Sequence, residues 1–132
     1  AVLALQAMIR KVPCSDMVIR YATRLTRMSR RDREDAPSFV RDYIAWGAGP
    51  RASQNLVLAG KARAILKERH HVTIEDIRAV ARPVLRHRLV TNFNAEAEGI
   101  DAEQIVAWLI DQVPADVTPG LDAIGGRKLM AG

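Results

Sequence analysis

GAGPRASQNLVLAGKARAILKERHHVTIEDIRAVARPVL, residues 47–85, is the stretch on which the fold turns. Gly47, Ala48, Gly49 and Pro50 break the chain. A long helix is then expected from about residue 51 to 68, with Leu56, Ala59, Ala62, Ile65 and Leu66 as its apolar residues. Gly60 sits inside that helix, where a glycine costs about 0.5–1 kcal/mol relative to alanine, so close backbone packing is its expected reason. Thr73 and Asp76 then stand in the spacing of a capping box ahead of an apolar run. The helix they open carries Ile74, Ile77, Val80, Ala81, Val84 and Leu85. Pro83 lies in its interior, removing one backbone bond and crowding the carbonyl four residues back. A kink, or two abutting helices, is expected between residues 79 and 85.

Upstream, Val2, Leu5, Ile9 and Val12 recur at helical spacing until Pro13, and Ser15 is a good N-cap for a helix over 16–31. Val18, Tyr21, Ala22, Leu25 and Met28 share one face of it, and Arg20, Arg24, Arg27 and Arg31 line another. RRDREDA (30–36) reads as a charged loop, and Pro37 opens a short helix to about Trp46 with Phe39, Val40, Tyr43 and Ile44 as its apolar face. Downstream, residues 89–100 read as a loop in which LVTNF (89–93) is a weak strand signal. Asp101 caps a last helix over 102–113, with Ile105, Trp108, Leu109 and Val113 inward. Beyond Pro114 periodicity is lost, so residues 1–114 form the domain and 115–132 a tail or linker containing Gly and Pro. The expected fold class is all-α, a small bundle of five or six helices.

The 132 residues suit one domain, and 48% apolar with 27% charged residues is ordinary globular material. The lone Cys14 excludes an internal disulfide and fits a reducing compartment. No apolar run approaches the ~20 residues of a membrane span, and the first residues carry their charges after the apolar part, the wrong order for a secretory signal. These features lead to the expectation of a cytoplasmic piece of a longer chain. The formal charge of +5 suits either a phosphate-bearing partner or an arginine-rich solvated surface.

No Gly-Lys-Ser/Thr phosphate cradle and no acidic pair after an apolar strand occurs, so no nucleotide hydrolysis is expected of this chain alone. His70 and His71 are adjacent and lack metal-ligand spacing, so no metal site is expected. Cys14 lacks an evident base, and Asp32, Glu34 and Asp35 read as solvated surface. The arginine stripe lacks the Asn, Gln or aromatic residues that read bases, which makes it a solvated face or a face toward an acidic neighbouring domain. Arg51 breaks a local rule: it stands at the positive end of a helix dipole, where a cation is disfavoured by about 0.3–1 kcal/mol. That geometry becomes useful when an anion docks, since free amides, dipole and guanidinium then converge on it.

These residues resemble the C-terminal lid of MoxR-family AAA+ ATPases. The family pattern of Gly-Ala-Ser-Pro-Arg-Ala, an alanine-rich helix, Val-Thr-x-x-Asp-Ile and Val-Leu-x-His-Arg is met at Gly47, Ala48, Pro50, Arg51 and Ala52. It is met again at Ala62, Ala64, Val72, Thr73, Asp76, Ile77, Val84, Leu85, His87 and Arg88, and the likeness extends from Tyr21 through AEAEG (95–99) to Pro114. The chain departs from it at Gly49, where the family has a serine, and at Lys67 and Glu68, near a usual glycine. It departs again at Ser29-Arg30, where Thr-Arg is common. The resemblance implies a lid packed on an N-terminal nucleotide-binding core that uses ATP with magnesium. Arg51 would be the sensor 2 arginine that reads the γ-phosphate, and Gly49 and Pro50 the start of its helix. It further implies a ring, usually hexameric, that remodels or matures a client, often with a partner carrying a von Willebrand factor A domain. His87 and Arg88 would contact the core or a neighbouring subunit. The alternative is a stand-alone basic helical module that binds nucleic acid.

Overall fold

The computed structural model describes residues 2–114, with side chains from Gln6 onward. Residues 115–132, expected to be a tail or linker, lie outside the described residues. In chain order the elements are α1 (Val2–Lys11), α2 (Asp16–Met28), α3 (Ser38–Tyr43), β1 (Ile44–Trp46), α4 (Arg51–Leu66), α5 (Ile74–Leu85), β2 (Val90–Thr91), α6 (Phe93–Glu98) and α7 (Ala102–Gln112). The fold is mostly helical, as expected, with one two-stranded sheet. Its core gathers Leu25, Val40, Ile44, Leu56, Ile77, Leu85, Ile105 and Leu109, all fully buried.

The α4–α5 pair is the centre of the packing, with α1 and α2 against α4, and α7 against α5. The buried row of α4 is Ala52, Leu56, Gly60 and Ala64, of which the apolar pattern named only Leu56; Ala59, Ala62 and Ile65 are half-buried. Leu66, expected inward, is 83% exposed. The helix is apolar on most sides, so its sequence does not single out a face. Close approach does: a Cβ on Gly60 would lie 3.0 Å from Ile77 Cδ1 and 3.1 Å from Val72 Cγ1. Gly60 and Ala64, small residues spaced by four, form a shallow groove that admits the neighbouring helix.

Asp76 closes this pair. Thr73 and Asp76 form the capping box, with the Asp76 carboxylate accepting from Thr73 N–H at 2.9 Å. The same carboxylate, fully buried, also accepts from Arg63 of α4 at 2.6 Å and from both terminal nitrogens of Arg69 in the connecting turn, one of them at 2.8 Å. Burial alone would push this carboxyl up, but the bonds from Arg69, Thr73 and Arg63 outweigh it and hold the pKa at about 2.

The turn itself is a Schellman motif. Arg69 N–H reaches Ala64 C=O at 2.8 Å, and Glu68 N–H reaches Ile65 C=O at 2.9 Å. Glu68 therefore adopts a left-handed backbone, φ 58°. This is the neighbourhood of the usual family glycine, and a side chain there is strained.

Three expectations change. The helix from Pro37 ends at Tyr43, and Ile44–Trp46 become β1, paired antiparallel with β2 through an irregular register of Ile44 with Thr91 and Trp46 with Val90. Residues 89–100 hold α6 rather than only a loop. Asn92 is the cause of both: its N–H donates to Tyr43 C=O at 2.9 Å, its Nδ2 to Asp42 C=O at 2.7 Å, and its Oδ1 caps α6 at Ala95 N–H. Finally, α5 is one helix through Pro83, not two. The proline falls in the last turn and forfeits only the bond to Ala79, and both residues are exposed, where water can replace it.

Because the Asp76 pKa is depressed when folded, its stabilisation is present in full above pH ~4 and lost as pH falls toward ~2, a loss of roughly 2 kcal/mol. Urea unfolding of wild type against Asp76→Asn between pH 7 and pH 2.5 should show this acid limb in wild type alone. At pH 7 the variant should be less stable by roughly 3 kcal/mol, because Arg63 and Arg69 lose their counter-charge. Conversely, Glu68→Gly should raise stability by about 0.5–1 kcal/mol, relieved left-handed strain outweighing the added freedom of the unfolded chain. A thermal melt should shift upward by a few degrees.

Candidate functional site

Two neighbouring segments build the turn before Arg51. Ser29, fully buried after the last turn of α2, donates its hydroxyl to Thr26 C=O at 2.6 Å. Its oxygen accepts from Ala48 N–H at 3.0 Å. Gly47 lies so close to this corner that a Cβ would stand 2.4 Å from the Ser29 carbonyl oxygen. Only glycine fits, so the end of α2 dictates where the turn runs. The Ser29 that replaces the usual threonine keeps the hydroxyl this clamp needs.

From Ala48 the chain passes through Gly49, whose carbonyl accepts from Ala52 N–H at 3.0 Å, and Pro50 enters α4 with helical angles. No side chain caps this helix start, and its first turn holds no acidic residue. Ser53 Oγ turns back to Pro50 C=O at 3.1 Å. A Cβ at Gly49 would meet nothing within 4 Å, so this side of the turn is open. Arg51 is exposed and forms no hydrogen bond or ion pair among the described residues. The rule-breaking cation seen in the sequence is thus held at a positive helix end with nothing among the described residues to neutralise it.

Sequence reasoning missed its surroundings. Arg30, Arg31 and Asp32 share with Ala45, Trp46 and Gly47–Gly49 a cleft of about 290 Å³ beside the turn. Trp46 is 72% exposed at its rim. The departure at Ser29-Arg30 was the one signal that this corner of α2 belongs with residues 47–51.

Other candidates separate from this site. His87 and Arg88 are exposed in the turn after α5. Arg88 donates to Val84 C=O at 3.3 Å and so serves the helix end, while His87 Nε2 accepts from Arg86 Nε at 3.2 Å. Arg20, Arg27 and Arg31 of the expected stripe are exposed, and Arg24 is half-buried beside Asp35 and Val113. Cys14 is half-buried, and burial pushes its thiol up against the opposing charge of Lys61. His70 and His71 are exposed. Among the described residues no three of His, Cys, Asp and Glu gather as a metal site, and no helix is long and apolar enough to cross a membrane.

A family model for the AAA lid domain matches residues 36–108, more than half of the chain, spanning the turn and both central helices. The chain is 30% identical over 96 residues to the chaperone MoxR1 of Mycobacterium tuberculosis, covering 73% of this chain and 26% of that protein. It belongs to the lid domains of MoxR-family AAA+ ATPases. The likeness to the MoxR protein of Paracoccus denitrificans is 39% over 74 residues, 56% of this lid and 21% of that protein. A crystal structure of a candidate ATPase from Cytophaga hutchinsonii superposes with a TM-score of 0.77 at 36% identity, over 82% of the lid and 33% of that chain. The lid therefore spans between about a fifth and a third of the length of these proteins.

Gly47→Ala should force the turn off the end of α2, since the clash is with backbone. A loss of about 1–3 kcal/mol is expected in denaturant unfolding. Gly49→Ala, with open space around it, should stay within about 0.5 kcal/mol of wild type.

Proposed function

We propose that Arg51 is the sensor 2 arginine of the parent ATPase, reading the γ-phosphate of an ATP–magnesium complex bound on the N-terminal core. The observation that carries this reading is an exposed arginine, unpaired among the described residues, on an uncapped positive helix end. The cost of placing a cation there is repaid only when an anion arrives. Gly49 and Pro50 keep the helix start open, and the Ser29–Gly47 clamp makes it rigid with respect to α2. A phosphate bound at Arg51 thereby pulls on the whole lid rather than on a loose loop. That coupling turns binding and hydrolysis into lid movement within a ring, and lid movement into remodelling of a client. His87 and Arg88, on the surface after α5, are available to the core or a neighbouring subunit. Nothing in the comparisons favours the nucleic-acid reading.

Arg51→Ala in the complete ATPase is the test. A charge-assisted contact that strengthens as the phosphoryl group leaves is worth about 1.5–3 kcal/mol, so turnover should fall roughly 10- to 100-fold. A contact equal in ground and transition states would raise the Michaelis constant instead. Thermal stability should hold or rise slightly, because a cation leaves a positive helix end. Wild-type turnover with unchanged nucleotide affinity would remove Arg51 from the site.

A further inference from the structure

Sharing no residue with the cleft beside the Arg51 turn, an open cleft of about 650 Å³ is lined by Phe39 and Tyr43 of α3 and by Trp108, Asp111 and Gln112 of α7. Phe39 meets Trp108 edge-on with ring centroids 5.4 Å apart, and Tyr43 lies 6.3 Å from Trp108 at a tilt of 47°. All three rings are half-buried, so each keeps a solvent-facing part.

Among the described residues, the charged groups that line this cleft or act on Tyr43 are acidic. Asp111 lines the cleft and, among the described residues, no Lys or Arg does, on a chain whose net charge is +5. The Tyr43 hydroxyl donates to Glu98 at 2.8 Å. That bond, with burial and the charges of Glu98 and Asp42, raises the Tyr43 pKa. Arg41, the cation nearest in sequence, is turned away to the carbonyls of Arg33 and Glu34, at 3.1 and 2.6 Å.

Asp111 breaks the same kind of rule as Arg51, with the sign reversed. It stands in the last turn of α7, where the helix end is negative and no basic residue balances it. It forms no hydrogen bond or ion pair among the described residues. An anion held against the dipole beside three aromatic rings is favourable once a cation sits between them.

We propose that this cleft docks a partner protein through an arginine flanked by apolar residues. The flat guanidinium stacks on Trp108 and pairs with Asp111, and the flanking residues pack on Phe39 and Tyr43. Arginine fits better than lysine, because a planar cation both stacks and forks toward a carboxylate.

The test uses the 132-residue chain and the blocked peptide acetyl-Leu-Arg-Leu-amide, followed by the indole N–H signals of the two tryptophans, Trp46 and Trp108. The Trp108 signal should shift saturably at millimolar peptide while Trp46 stays fixed. Replacing arginine by neutral citrulline should weaken binding about fivefold or more, and so should Asp111→Asn toward the arginine peptide. Asp111→Asn should melt no lower than wild type, because it removes an anion from a negative helix end. Equal binding of the citrulline peptide would overturn the proposal in favour of a plain apolar groove. No shift at Trp108 would also overturn it. So would a Trp108 signal that moves with protein concentration alone, since the occupant is then a second copy of the chain.

Discussion

The buried carboxylate of Asp76 is the constraint on which the rest depends. It accepts hydrogen bonds from Arg63 on α4, from Arg69 in the turn and from Thr73 at the start of α5. Two helices and their connection are thus locked around one oxygen pair. Such a cluster is costly to assemble and more costly to leave half made, because either arginine or the acid alone would remain uncompensated. It therefore specifies a single pairing of α4 with α5. Gly60 of α4 can then face Ile77 and Val72, which leave little room for a Cβ there.

From that pair outward, position is passed on by hydrogen bonds rather than by apolar contact alone. Ser29 fastens the end of α2 to Ala48, so the helix that starts at Arg51 is oriented at both ends, by Ser29 at one and Asp76 at the other. Asn92 does similar work between α3 and α6, and the small sheet exists because it brings Thr91 beside Ile44. Arg51 and Asp111, charges that contradict the helix dipole, are both exposed and make no bond of their own among the described residues.

Much of this was legible beforehand. The caps at Ser15, Thr73 and Asp101, most of the buried face of α2 and the inward Ile105 and Leu109 of α7, with Val113 at its C-cap, follow from side-chain spacing and from oxygens that accept helix N–H groups, whereas Trp108, expected inward, is half-buried. Arg51 stood out by its wrong-signed position, and the family resemblance rested on short motifs that the comparisons bear out. Less legible was α4, because a helix apolar on most sides offers no unique face. The α3–β1 boundary was missed because Ile44 is apolar in either state, and its strand partner lies far along the chain.

What the sequence by itself determined is local: which segments are helical, where most begin, that Gly60 requires a close neighbour and that Arg51 is electrostatically misplaced. Those follow from bonds within a turn or two of chain. What only the tertiary structure decided involves partners distant in sequence. These are the union of Arg63, Arg69 and Asp76, the steric need for Gly47 against Ser29, the pairing of β1 with β2, and the acidic aromatic cleft between α3 and α7. No periodicity encodes such meetings, because each depends on how whole helices come to rest against one another.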